Sequence, residues 1–258
     1  MTVKKSFLNS LCSLSMRYAF THRTARQLLV WLAFSLLVAG PSAHAAENEL
    51  ALWVPVTLEK KMLKSSKHPV RLMLEVTPRQ ADDLTNFEQL IIRPAVGVQL
   101  TKSISVWQGY AWTPLLFNNR QQTTFNDEHR LYQQLLFEKT FFKKLGVTNR
   151  WRFEERFIEG EGEVALRSRN LTRLSWPLDA QKKWAAILSN ETFFNWNTTS
   201  RDGIQRGFDQ DRIFVGINRE LNPHVNAEAG YMLRIWNRPN ATPDKFSHII
   251  LVGVNVNL

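Results

Sequence analysis

Residues 150–157 read RWRFEERF, and residues 167–173 read RSRNLTR. A side chain changes face at every residue of a β-strand. Trp151, Phe153 and Phe157 therefore share one face, and Arg150, Arg152, Glu154 and Arg156 share the other. Arg167, Arg169 and Arg173 line up the same way in the next segment. An antiparallel hairpin sets the two charged rows side by side, with Glu154 as their only acid. Like charges so close need partners from other strands, and Glu128, Glu138 and Glu191 are the nearest by sequence.

The same two-residue period recurs along the chain. Val70, Leu72, Leu74 and Val76 alternate with Arg71, Met73, Glu75 and Thr77, and Val225 to Ile235 alternate with Asn226, Glu228, Gly230 and Arg234. The last apolar row is Ile250, Val252, Val254, Val256 and Leu258. Eleven strand segments follow, near 49–61, 69–78, 87–100, 104–113, 125–140, 147–158, 164–176, 184–195, 208–221, 225–236 and 246–258. Residues 126–145 also fit an amphipathic helix, but their strand neighbours favour a strand. Connections at 101–103, 141–146, 177–183 and 222–224 are short. Those at 79–86, 114–124, 196–207 and 237–245 are longer and polar. Short turns at one end and long loops at the other are how outer-membrane barrels are built.

Two architectures use amphipathic antiparallel strands. A soluble sandwich or lipocalin-like barrel points its apolar faces inward; a membrane barrel points them at lipid. The polar faces favour the membrane form, because within the strands arginine dominates over lysine, and its fixed fork suits a confined, carboxylate-rich lumen. Arg71, Glu75, Arg93, Glu128, Arg130, Arg150, Arg152, Glu154, Arg156, Arg167, Arg169, Arg173, Glu191, Arg212, Glu228 and Arg234 are the charged residues expected to face that lumen. Trp53, Tyr110, Trp112, Trp151, Trp176, Trp184 and Trp236 lie mostly near segment ends, where headgroup girdles would be. The expected fold is an all-β antiparallel transmembrane barrel. Bacterial barrels have even strand numbers, so ten strands are expected with 49–61 inside the lumen, or twelve with one strand unseen.

The N-terminus supplies an address. Residues 1–45 hold Lys4, Lys5, Arg17, Arg23 and Arg26 and no acid, then LLVWLAFSLLVA at 28–39, then Ala43-His44-Ala45. A basic region, a short apolar core and a small-x-small site make a secretory signal peptide. The whole chain of 258 residues carries +10, and removing those five basic residues lowers this to +5. Half the basicity thus belongs to the leader, and a nucleic-acid partner is not expected. The single Cys, Cys12, excludes a disulfide scaffold. Residues 46–258 form one domain expected in the outer membrane, with the periplasm as the alternative. Outer-membrane lipid is its expected partner, and periplasmic chaperones and the barrel-assembly machinery would handle it in transit.

Specific motifs run through 46–258: Leu52-Trp53, Arg93-Pro94 with Gly97, Gln108-Gly109-Tyr110, and Glu128-His129-Arg130 with Gln133-Gln134. They continue with the 150–156 segment, Arg167-Ser168-Arg169, Trp176-Pro177-Leu178, Glu191 before Phe193-Phe194, Gln210-Asp211-Arg212, Gly230-Tyr231 and His248. Together they resemble a bacterial outer-membrane barrel family catalogued only as a domain of unknown function. The resemblance implies a location and a barrel of about ten strands, and no established activity.

Catalytic chemistry finds little support. His129 falls on the opposite face from Glu128 and Arg130, and no GxSxG, HExxH or paired metal-ligand spacing occurs. No catalytic residue, cofactor or metal is assigned, and Asp202, Asp209 and Asp211 read as a solvated acidic loop rather than a Ca²⁺ site. The interior reads as structural ion-pair networks, with a narrow anion-selective channel as the second reading. A soluble periplasmic binding barrel and a lipid-acting barrel enzyme are the alternatives.

Overall fold

The computed structural model describes residues 47–63, 66–114, 127–199, 204–238 and 244–258. The expected leader, residues 1–45, lies outside them. The strands are β1 (Glu47–Trp53), β2 (Val56–Met62), β3 (Val70–Ala81), β4 (Asn86–Gln99), β5 (Ile104–Thr113) and β6 (Glu128–Phe141). They continue with β7 (Leu145–Ile158), β8 (Ala165–Pro177), β9 (Trp184–Asn195), β10 (Gly207–Asn222), β11 (Val225–Trp236) and β12 (Lys245–Asn257). Of the 126–145 stretch, residues 128–145 thus resolve as strand and turn, not helix.

From β2 to β12 each strand pairs antiparallel with the next, and the sheet closes on itself through the first and last strands. β1 runs parallel to β12 from Glu47↔Lys245 to Trp53↔Leu251, and β2 continues along the same strand from Val56↔Val254. β1 and β2 are one stave interrupted at Val54-Pro55, since proline cannot donate to a ladder. The wall therefore has eleven staves, neither ten nor twelve. Residues 47–62 belong to that wall rather than to the lumen. Parity explains the parallel seam: with an odd number of alternating staves, first and last run the same way. Gly253 opens the space beside the break, where an added Cβ would lie 3.1 Å from Pro55 Cγ.

The connections sort by end as expected, with one exception. The 79–86 link is a tight turn at 82–85, because β3 and β4 extend to Ala81 and from Asn86. Asp82, Asp83 and Leu84 adopt positive φ of 49, 56 and 66° to make it. At the opposite end the β8–β9 turn is fixed by Asp179, whose carboxylate accepts from Trp184 N at 2.7 Å and Lys183 N at 3.2 Å. Those backbone donors, Trp184 first, hold its pKa below the ordinary aspartate value.

Side-chain alternation is turned inside out relative to a soluble barrel. In β7, Trp151 is 56% exposed while Arg152 is 2% and Glu154 1%. In β5, Val106, Tyr110 and Trp112 face out, and Ser105, Trp107, Ala111 and Thr113 face in. Among the described residues twenty polar or charged side chains are buried against fourteen apolar ones, and thirty-five large apolar side chains are exposed.

The outward aromatic residues gather toward strand ends. Near the loop end Tyr110 bonds His129 Nδ1 at 2.5 Å, Tyr231 bonds His248 Nδ1 at 2.7 Å, and Trp112 Nε1 donates to Asp127 at 2.8 Å. Near the turn end stand Trp176 and Trp184, the latter under the Arg219 guanidinium at 4.7 Å. Three residues depart from the expected girdle: Trp151 faces outward at the middle of β7, Trp236 lines the barrel interior beside Arg234, and the clearest case is Trp53. It turns inward and is 3% exposed.

Candidate functional site: a charged barrel interior

Inward-facing charges on neighbouring staves meet in the interior. Glu154 on β7 is the centre: Arg167 on β8 donates to it through Nε and Nη2 at 2.9 and 2.7 Å, and Arg169 through Nη1 at 2.9 Å. Arg152 approaches it at 3.8 Å and donates twice to Gln134 on β6. Glu191 on β9 takes Arg150 at 2.6 Å and Arg169 at 2.7 Å, with Arg212 at 3.7 Å. Glu128 joins Arg130 and Arg156, each at 2.5 Å, and Glu75 joins Arg93 at 2.5 Å.

All sixteen charged residues singled out in the sequence take part in these ion pairs. Their partners differ in part from the sequence expectation. Glu128 and Glu191 do neutralise the β7–β8 arginines, but Arg173 pairs with Glu228, and Glu138 serves Arg71 at 3.3 Å. Four contributors went unread. Glu59 chelates Arg71 at 2.7 and 3.0 Å, while Glu49 and Glu88 share Arg234 at 2.9 and 3.2 Å. Arg79 stands in the extension of β3 that was taken for a loop. Parity was the available signal, since Glu49 shares a face with Ala51 and Trp53, and Arg79 with Arg71 and Glu75.

The interior divides in two. Toward the loop end lies a vestibule of about 640 Å³, lined by Arg79, Arg93, Glu128, Arg130, Arg169, Phe193 and Arg212 among others. On its turn side, rings lie against glycines of the inner face. A Cβ on Gly97 would meet the Trp107 ring at 2.4 Å, on Gly109 the Tyr132 ring at 2.0 Å, and on Gly230 the Phe214 ring at 2.7 Å. Ile187, Phe214 and Leu251 pack together there, with Met232 against them. Ring-on-glycine contacts let bulky side chains pack closely against the inner wall.

Guanidiniums stack on the rings where the two parts meet. Arg152 lies over Tyr132 at 4.1 Å, and Arg169 and Arg212 lie over Phe193 at 4.5 and 4.4 Å. Trp53 collects three, Arg79 at 3.7 Å, Arg212 at 4.9 Å and Arg234 at 5.6 Å. Such cation–π contacts give the cations a neighbour other than a carboxylate.

Residues weighed for chemistry fall elsewhere. His129 and His248 face outward, each on a tyrosine. Asp211 also faces outward and accepts from Asn190 and Thr192, Asp209 lies 3.5 Å from Arg167, and Asp202 is outside the described residues. Among the described residues no group of His, Cys, Asp and Glu could hold a metal ion.

A relative in Methylorubrum extorquens, an uncharacterised protein, is 28% identical over 237 residues, which cover 91% of this chain and 98% of that protein. Residues 50–245, nearly the whole barrel, match one family, and the chain belongs to it: the family described as protein of unknown function (DUF2490).

Proposed function

We propose that this barrel is an integral outer-membrane protein whose interior is closed, a structural barrel rather than a solute channel. The observation that carries the reading is the inverted polarity of the wall: charges paired within, and exposed apolar side chains such as Leu72, Val106, Leu135, Trp151, Val215 and Val252 without. In water so much exposed apolar surface would drive association. Against lipid it is the required face, and closure satisfies every strand edge. The outward Tyr and Trp near both strand ends then sit at headgroup level. Odd parity puts the start of β1 at the loop end and the end of β12 at the turn end, so on this reading those two strand ends lie at opposite membrane faces. Ring-on-glycine packing and the Glu154 network crowd the lumen with side chains, which supports the closed reading.

The test is fractionation with gel migration. The protein is expected in the outer-membrane fraction, released only by detergent, and to migrate differently before and after boiling. Planar bilayers holding it are expected to show no steady ion conductance. Release of folded protein by osmotic shock would favour the soluble periplasmic barrel, and a stable anion-selective current would restore the channel.

A further inference from the structure

The vestibule holds more positive charge than its own acids neutralise. Its wall carries nine basic and five acidic side chains, and of the basic ones Arg93, Arg167 and Arg169 pair with Glu75, Glu154 and Glu191 just outside it. Glu128 is taken by Arg130 and Arg156, Glu49 by Arg234 and Lys245, and Asp209 lies near Arg167. Arg79 has no carboxylate within 4 Å among the described residues; its one hydrogen bond is to Gln89 at 3.3 Å. Arg212 reaches Glu191 only at 3.7 Å and spends Nε and Nη2 on the neutral Gln210 oxygen. Both guanidiniums lean on Trp53, at 3.7 and 4.9 Å.

Unpaired donors gather in the same corner. Arg79 Nε and Arg93 Nε on the vestibule wall, and Trp53 Nε1 behind it, are buried with no hydrogen-bond acceptor, while one oxygen of Glu88 on the same wall has no donor. Buried N–H groups are almost always paired, so the two orphans on the wall beside two under-neutralised guanidiniums call for an acceptor from outside the chain. An oxyanion supplies both the missing charge and the missing lone pairs.

We propose that this corner of the vestibule binds a phosphate monoester, with Arg79 and Arg212 gripping the phosphoryl oxygens and Trp53 holding both guanidinium planes. A monoester fits better than a carboxylate because it carries close to two charges and three terminal oxygens. Arginine forks match phosphate edges in pairs. About 640 Å³ leaves room for a small organic group beside the phosphate. On the closed-interior reading proposed above, the ligand is held rather than passed. The inference needs only the closed barrel and is independent of where the barrel resides.

A free metabolite and a lipid headgroup could each present this chemistry, and calorimetry separates them. The mature chain, folded in neutral detergent, is titrated with sn-glycerol 3-phosphate and with lysophosphatidic acid. Saturable binding of both marks a free phosphate ester as sufficient; binding of lysophosphatidic acid alone marks a headgroup site. Arg79→Gln and Arg212→Gln are each expected to weaken binding about tenfold or more, while the outward Arg219→Gln leaves it within about twofold. Arg79→Lys keeps the charge but loses the fork, and is expected to fall between. Arg79 has no carboxylate to strand, so its variants should keep the heat-dependent migration of the parent. Absence of binding to either probe at low salt, or an unchanged affinity in the Arg79→Gln/Arg212→Gln double variant, would overturn the site.

Discussion

Toward the turn end the inner wall sets aromatic rings against glycines; toward the loop end it sets guanidiniums around a hollow. Both halves belong to the same staves and the same two-residue alternation, yet one packs rings on glycines and the other holds a vestibule. The difference lies in which residue faces which across a ladder. Trp107 opposes Gly97 and Tyr132 opposes Gly109, so each ring has a recess to fill. Arg152 opposes Arg169, and Arg130 opposes Arg156. Arg152 turns to Gln134 and Arg169 to Glu154 and Glu191, while Arg130 and Arg156 share Glu128, so long side chains held by polar partners, not rings, border the open volume.

Glu154 sits at the junction, and removing its charge is the severest way to break the contrast. Glu154→Gln would leave Arg167 and Arg169 short of their shared carboxylate in a site that is 1% exposed. Breaking a buried pair by one partner costs about 3–5 kcal/mol. A fall of that size is expected in urea unfolding from micelles. An unshifted midpoint would mean that the network does not hold the vestibule wall.

Two glycine substitutions sharpen the comparison at lower cost. Gly109→Ala would drive a methyl to 2.0 Å from the Tyr132 ring. Overpacking of that kind costs about 1–3 kcal/mol, since the ring has no free volume into which to retreat. Gly162→Ala, in the β7–β8 loop at the other end, meets nothing within 4 Å and is expected to fall within about 0.5 kcal/mol of the parent. Equal losses at both positions in the same unfolding assay would mean that the turn-side half is not the tighter one.

Much of this was legible in the sequence because alternation fixes the face of every residue in a strand. The row Arg150, Arg152, Glu154 and Arg156 could be assigned to one side without any structure. What alternation cannot give is which distant stave supplies the counter-charge. Arg173 finds Glu228 three staves away, and Glu49 reaches Arg234 through the seam, pairings set by barrel closure and stagger. The stave count failed for a related reason. The even-number rule of bacterial barrels set aside the first of the eleven segments, 49–61, which the wall includes as one stave interrupted at Pro55. Trp53 was misplaced because position near a strand end says nothing about face. Its parity with Glu49 and Ala51 said it pointed inward.

The smallest expected effect lies at the turn end, outside the barrel interior. Asp179 closes the β8–β9 turn through backbone N–H groups of Trp184 and Lys183, and these lower its pKa. A carboxylate with a depressed folded-state pKa contributes stability that is fully present above its unfolded value of about 3.9. That contribution is lost as pH falls through the lower folded value. Asp179→Asn should therefore lower Tm slightly at neutral pH, because an amide is a weaker acceptor than a carboxylate. The gap between parent and variant should close as pH drops below the ordinary aspartate range. Because the group is solvent-exposed, the vestibule should be untouched, and phosphate-ester affinity should match that of the parent. A gap that persists unchanged under acid conditions would show that the turn is held by its backbone bonds, such as Leu178 N to Trp184 O at 2.8 Å, and not by the Asp179 charge.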